Sequence, residues 1–376
     1  MSLIPVDAFY AGRVADCLPE WQCITKNPVV LEWIRSTPVP RFPQNNPLWE
    51  HGDELDEEIN KLCKIGAVVP ATPLPDQVIS PIFTRKNGDG SSRLILNVKY
   101  LNTFLPYHHF KMETFDTIVQ FVTKDVFLAS FDLKPAYLTI RLHPESRKFV
   151  RFYHREQLME CTALMFGLAC APRIFTKIVK QILRTLRSQG IIIFAYLDDC
   201  IVMAKSFEDC QKAVFKAVVL FQKLGFIIHP EKSQLSPTQR LKILGNMVDS
   251  HLLTVSLSEK RILKLRETVR LLESTRVNIR VVATAIGLLI SCTAAIPFAR
   301  LNSRALEQDK NVALQKSRGD FDALMSLSTE AREELSWWLR NCSAHVNLQT
   351  RFETVATMYS DASLDGWGAV SYTHLT

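Results

Sequence analysis

Apolar residues recur along this chain in two periods, and the places where each period starts and stops outline the elements. In HGDELDEEINKLCKIGAVVP, Leu55, Ile59 and Leu62 share one helical face, acidic residues crowd the first turn, and Gly66 sits just past the end, so the spacing predicts a short helix. SPIFTRKNGDGSSRLILNVKYLN holds two β-rich runs around Asn-Gly and Asp-Gly pairs that favour positive φ, which predicts a hairpin with Arg85, Lys86 and Arg93 toward its tip. Val126 to Ile140 is almost wholly apolar except for Asp132, and Lys134-Pro135 marks a turn: a carboxylate embedded in a buried strand. Residues 172–187 have helical periodicity, with Arg173, Lys177, Lys180, Arg184 and Arg187 on one face and Ile174, Phe175, Ile178, Ile182 and Leu186 opposite. Taken alone, such a basic stripe is an ordinary solvated face; its neighbours must decide whether a phosphate backbone lies there.

IIIFAYLDDCIVMAK then sets Asp198 and Asp199 between the apolar runs 191–195 and 200–204, a predicted hairpin with its acidic pair near the bend. FEDCQKAVFKAVVLFQKLGF reads as a helix ending at Gly225, and IIHPEKSQLS and RLKILGNMVDS read as short strands with turns. From Ser258 to about Trp338 the pattern is mainly helical. Antiparallel hairpins mixed with helices indicate an α+β fold.

Five prolines between residues 28 and 47 forbid a helix or central strand, so that stretch is expected to be extended, with a domain boundary near residue 50. Val281 to Ala299 carries no charge, yet Thr284, Ser291, Thr293 and Pro297 favour a buried helix over a membrane span. The N-terminus lacks the pattern of a secretory signal. With 376 residues, 47% hydrophobic and 22% charged, the chain can bury a sizeable core, which excludes disordered and fibrous classes. A net charge of +7 permits an anionic partner without requiring one. Nine cysteines form no CxxC pair, which points to reduced thiols, an intracellular protein, and neither a disulfide framework nor a structural zinc.

The chemistry rests on the carboxylates. Two adjacent aspartates between buried strands repel each other and resist desolvation unless their pKa values rise or divalent cations compensate. With Asp132 on another apolar strand, the set could hold two magnesium ions, the equipment of in-line phosphoryl transfer. No Ser/His/Asp or Cys/His arrangement can be picked out. His108 and His109 read as surface or core residues, because adjacent histidines point in different directions.

FDLKPAY, YLDD and LMFGLACAPRIFTK, in that order, resemble the motif blocks of retroelement reverse transcriptases, and the pattern looks closest to retrotransposons of the DIRS type. The resemblance runs from about Glu54 to Trp338, with a shorter match from Tyr359 to Val370. It implies a right-hand polymerase fold of fingers, palm and thumb, with an antiparallel palm sheet backed by helices. The divisions expected are a Pro-rich segment over 1–50, fingers and palm over 51–250, a helical thumb and connection over 251–345, and a ribonuclease H-like first hairpin over 354–376.

By the same resemblance, Asp132, Asp198 and Asp199 are the catalytic carboxylates and, with the main-chain carbonyl of Leu133, the ligands of two Mg2+ ions, for which Mn2+ could substitute. Lys86 and Arg93 would hold an incoming deoxynucleoside triphosphate, and Tyr137 would be the steric gate against a 2′-hydroxyl. Phe166 and Gly167 would lie against the nascent base pair and the template, and Lys232 would protonate the leaving pyrophosphate. Leu244 and Gly245 fall in a primer-grip-like stretch. The implied activity is RNA-directed DNA synthesis on an RNA/DNA template-primer, away from membranes. The alternative is a non-enzymatic, nucleic-acid-binding relic. A DNA-templated polymerase would share the metal chemistry, but YLDD together with the FGLxxAPRIF block speaks against it. Oligomeric state is left open.

Three departures stand out. Pro135 occupies a position where the family usually has an acidic residue whose backbone N–H helps hold the triphosphate, and proline has no N–H to give. Pro135→Asp is therefore expected to lower the KM for nucleotide, and an unchanged or higher KM would count against this. Met165 replaces a usual proline, which is expected to loosen the loop. YSDASLDGWGAV resembles the start of a ribonuclease H domain, with Asp361 as its first metal-binding carboxylate. The further acidic residues of such a domain do not follow, so the stretch reads as truncated and no ribonuclease H activity is expected.

Overall fold

The structure, a computed structural model, describes residues 28–32, 52–86, 90, 92–134, 137–348, 357–362 and 366–372. The chain divides into two compact units, residues 1–244 and 245–376.

In the first unit, residues 28–32 are tied down by a bridge between Val29 and Leu142, with the Val29 N–H donating to the Arg141 carbonyl at 2.9 Å. Helix α1 (Asp53–Lys64) buries Leu55, Ile59 and Leu62 and sets Asp53, Glu54 and Asp56 at its positive end. Gly66, with φ +71, supplies the left-handed turn after it. Strand β1 (Val68–Pro70) leads to the hairpin of β2 (Ile82–Lys86) and β3 (Ser92–Leu96), in which Arg85 lies directly opposite Arg93. Short helices at Lys99–Asn102 and Phe115–Val119 precede β4 (Phe127–Lys134), and a 3-10 turn at Tyr137–Thr139 follows it. Strands β5 (Arg151–His154) and β6 (Gln157–Cys161) pair with each other, and β6 pairs with β1.

Helix α2 (Ala171–Ser188) precedes the hairpin β7 (Ile192–Tyr196) and β8 (Asp199–Ala204). Helix α3 (Phe207–Lys223) is capped by the Ser206 hydroxyl, which accepts from the Asp209 N–H, and ends before Gly225 at φ +88. Then come β9 (Ile227–Thr238) and β10 (Arg240–Ile243). The central sheet has the antiparallel order β7-β8-β4-β9. Both α2 and α3 contact it, and buried Phe131, Phe175 and Phe221 fill the core around them. The free edge of β7 is occupied by side chains: the Ala195 N–H donates to Glu113 Oε2 at 2.9 Å, and the Ile193 carbonyl accepts from Arg187.

One expectation is corrected here. IIHPEKSQLS is not a short strand and turn but most of the twelve-residue β9, which lies at the sheet edge with register shifts against β4 between Leu128 and Asp132. Edge position explains why Pro230 and Pro237 are tolerated within a strand, since proline cannot donate to a central ladder. Lys232 is therefore an exposed strand residue.

The second unit pairs β11 (Asn246–Asp249) with β12 (Thr254–Leu257). Helix α4 (Glu259–Leu271), strand β13 (Val277–Asn278), and helices α5 (Ile279–Cys292) and α6 (Arg304–Lys316) follow. Strand β14 (Leu324–Met325) pairs with β13, and after helix α7 (Thr329–Asn341) strand β15 (His345–Asn347) joins β12. Trp338 is fully buried, and its indole N–H donates to the Asn302 carbonyl. The uncharged stretch forms α5, with Val282, Ala285, Ile286 and Leu289 buried and Ile290 outward, and it breaks into 3-10 turns after Cys292. Among the described residues no helix is long and apolar enough to cross a membrane. Among the described residues, strands β16 (Thr357–Ala362) and β17 (Trp367–Tyr372) pair only with each other. The seven described cysteines carry free thiols.

Candidate active site

Asp132 lies two residues from the end of β4 and Asp199 opens β8. The antiparallel register places them directly opposite one another, so their side chains are nearest neighbours on one face. The turn between β7 and β8 passes through Leu197 at φ +53. The carbonyl of Asp198 accepts from the Leu133 N–H at 2.9 Å, which pins the acidic turn to β4. The Asp132 N–H donates to the Ser233 hydroxyl at 3.1 Å, and that hydroxyl donates to the His229 carbonyl at 2.6 Å.

Electrostatically the cluster is too negative for itself. Burial, followed by the charge of Asp198, pushes the Asp132 carboxyl up to about 6 against the pull of Lys232, Lys134 and Arg93. Asp199 is also pushed up to about 6, by burial and then by Asp198 and Asp132, against Lys232 and Lys242. The buried Cys200 thiol and the Tyr137 phenol are raised as well, first by burial and then by the nearby carboxylates.

Among the described residues, no group of three or more His, Cys, Asp or Glu side chains forms a ready-made metal cage. Magnesium takes only one or two protein carboxylates directly and fills its shell with water and substrate phosphates. Hard oxygen donors, on carboxyls that burial and then mutual repulsion make easier to protonate than normal, fit a divalent cation.

Above this centre the aromatic rings form a chain. The Arg93 guanidinium lies 4.2 Å from the centroid of Phe166, Phe166 is 5.1 Å from Tyr137, and Tyr137 is 5.7 Å from Phe175. Arg93 thus reaches the carboxylates' field. Lys86 is held elsewhere: its ammonium is paired with Glu54 of α1 at 2.8 Å, and the Ser92 hydroxyl donates to the same carboxylate at 3.2 Å.

Gly167 has φ +110, and a Cβ there would fall 2.6 Å from the Leu96 carbonyl oxygen, so only glycine fits. The Asn102 side chain clamps this loop at two points, donating to the Gly167 carbonyl at 2.9 Å and accepting from the Ala169 N–H at 3.0 Å. Met165 is buried in the core. Leu244 and Gly245 both adopt left-handed backbone. Pro135 lies outside the described residues. Asn102, Ser233 and Glu54 were not singled out from the sequence, where each is one polar residue among many.

An antiparallel sheet carrying three carboxylates at one end, supported by two helices and approached by a cationic hairpin, has the layout of the palm and fingers of a right-hand polymerase fold. Residues 84–248 match the model of the reverse transcriptase (RNA-dependent DNA polymerase) family.

Among curated relatives, Caenorhabditis elegans K02A2.6 is 28% identical over 57% of this chain and 16% of its own length. The Gag-Pol polyprotein of Gibbon ape leukemia virus is 24% identical over 55% and 13%, and the enzymatic polyprotein of Figwort mosaic virus is 24% identical over 58% and 32%. The chain thus spans a third or less of these relatives. Two foamy viral protease-reverse transcriptase structures share the fold at 16% identity. One, in complex with double-stranded DNA, has a TM-score of 0.70 and is matched over 100% of this chain and 70% of its own. The other, in complex with an RNA/DNA hybrid, has a TM-score of 0.68 and is matched over 100% and 54%. These relatives do not narrow the assignment to the DIRS type.

Proposed function

We propose that this domain is the RNA-directed DNA polymerase of a retroelement, acting intracellularly on an RNA/DNA template-primer and deoxynucleoside triphosphates. The observation that carries the reading is the Asp132–Asp199 register pair with Asp198 in the adjoining turn, a negative cluster bordered by Arg93, Lys134, Lys232 and Lys242.

Asp132, Asp198, Asp199 and the Leu133 carbonyl would hold two magnesium ions, which when bound lower the pKa of the primer 3′-hydroxyl and neutralise charge on the phosphates. The remaining work falls to the protein. Arg93, steadied by the Phe166 ring, presents a bidentate donor to the triphosphate. Lys86 can join it only by giving up Glu54. Tyr137, wedged between Phe166 and Phe175, presents a fixed ring where a 2′-hydroxyl would clash. Phe166 and Gly167, set by Asn102, support the nascent base pair and template, and Lys232 protonates the leaving pyrophosphate.

The second reading, a relic that binds nucleic acid without polymerising, is favoured by the departures at Pro135 and Met165. The test is primer extension by the purified chain on matched RNA and DNA templates with magnesium, beside the double variant Asp198→Ala, Asp199→Ala. Extension on RNA that falls to background in the variant is expected. Binding of template-primer that weakens with salt but supports no extension would leave the relic.

A further inference from the structure

Strand β9 leaves the ladder beside Asp132. His229 stands opposite Asp132 and Gln234 opposite Ser130, so two residues of travel along β4 are matched by five along β9. The register gives no β4 partner to the residues between, and of these Pro230, Glu231 and Lys232 are exposed while Ser233 is half-buried. An ordinary bulge adds one residue and re-aims a side chain. This larger excursion sits at the edge of the sheet, directly opposite a catalytic carboxylate, and carries Lys232 next to its closing residue.

Such an excursion breaks the ladder where the Asp132 N–H and a β9 carbonyl would otherwise meet. The Ser233 hydroxyl stands in the gap. It accepts from the Asp132 N–H at 3.1 Å and donates at 2.6 Å to the carbonyl of His229, the register partner of Asp132. A hydroxyl accepts and donates at once, so a single oxygen joins the two backbones, whereas a methyl group would leave both backbone groups unmatched. The same oxygen ties the far foot of the excursion, at Ser233, to its near foot, at His229. Lys232 is therefore one residue from a point fixed to the amide of Asp132, and its charge favours the ionised form of both Asp132 and Asp199. A proton donor on a long, exposed side chain is effective only when its base of support is fixed relative to the reacting atoms.

We infer that Ser233 is a positioning residue, whose hydroxyl closes the β9 excursion and holds Lys232 in a set relation to Asp132. This rests on the polymerase reading for what Lys232 does, and not for the hydroxyl contact itself. A serine that only mends the ladder would act on Asp132 alone, and the two roles separate in a double-mutant cycle.

The test measures single turnovers on an RNA template, in which product release does not mask the chemical step. Lys232→Ala alone is expected to slow the step about a hundredfold. Ser233→Ala is expected to slow it about tenfold with the apparent affinity for nucleotide unchanged. Ser233→Thr, which keeps the hydroxyl, stays within about twofold of the native rate, and Ser233→Cys, with a weak donor and acceptor, follows alanine. In the Lys232→Ala background, Ser233→Ala costs less than about twofold more. Losses that multiply across the two sites overturn the inference, because Ser233 then acts on Asp132 alone. A native rate in Ser233→Ala, or a threonine variant as slow as alanine, overturns it too. A second readout needs no activity: hydrogen exchange at the Asp132 amide is expected to be slow in the native chain and in Ser233→Thr, and about tenfold faster in Ser233→Ala. Equal exchange in all three overturns the hydroxyl contact. The expected exchange pattern in a native chain that extends no primer on any template sinks the polymerase reading, and the role of Lys232 with it, while the contact stands.

Discussion

Asp132 and Asp199 face each other across a ladder, and their burial beside the charge of Asp198 gives the metal-free protein a pH dependence. Each carboxyl has an ordinary value of 3.8 and is pushed to about 6 by folding, so the folded chain holds these protons more tightly than the unfolded one. The stability they contribute is fully present below about pH 4 and is lost as pH rises through about 6. Glu54, Asp76 and Asp322 are held below their usual range by Lys86, Lys148 and Arg280 and act in the opposite sense at lower pH, so a difference measurement is cleanest. Thermal unfolding in chelator is expected to show Asp132→Asn more stable than the native chain by about 1 kcal/mol at pH 7, with the gap closing toward pH 4, while primer extension is abolished. A native chain more stable than the variant at pH 7 would refute this. Added magnesium should narrow the gap, since a cation replaces the excess protons. These aspartates were legible in the sequence because a carboxylate inside an apolar strand breaks the hydrophobic period. The attachment of Lys86 to Glu54 was not, because the two residues are 32 positions apart and both are ordinary surface residues.

The loop over residues 165–170 shows what an element adds to its residues. Its shape depends on a backbone angle available only to glycine and on one amide that bonds it at both ends. Gly167→Ala is expected to cost about 1–3 kcal/mol of stability and to weaken template-primer use, because the new Cβ meets a carbonyl oxygen that cannot move cheaply. Asn102→Ala is expected to raise the KM for template-primer more than it lowers kcat. Asn102→Asp, which retains the acceptor for the Ala169 N–H and loses the donor to the Gly167 carbonyl, should fall between. Steady-state kinetics on the three variants decides, and native values for Asn102→Ala would remove it as a positioning residue. Helix α2, the acidic hairpin and α3 could be read from sequence because their periods are strong and their ends are signalled by caps or glycine. Strand β9 could not: Pro230 and Pro237 read locally as breaks, and only its place at a sheet edge makes them harmless.

At the scale of the whole molecule, the carboxylates and Ser233 lie within residues 1–244, while Trp338 anchors the core of the other unit. Trp338→Ala removes a fully buried indole and strands the Asn302 carbonyl, for about 3–5 kcal/mol. Calorimetry is expected to show a lowered transition for residues 245–376, with the transition that responds to magnesium left in place. A uniform shift of all unfolding would show the two units to be one cooperative body. The division into units was not visible as a linker in the sequence, because the boundary at Leu244–Gly245 falls inside a strand-rich stretch with no run of prolines or small polar residues.

The closed rims of the central sheet have a consequence for how the chain meets its own copies. An exposed strand edge is a template on which another strand can grow, the usual start of aggregation and domain swapping. Here the β7 rim already spends its Ala195 N–H on Glu113 and its Ile193 carbonyl on Arg187. The β9 rim is interrupted by two prolines, an exposed lysine and a broken register. These features oppose edge-on addition to a sheet rich in isoleucine, valine and phenylalanine.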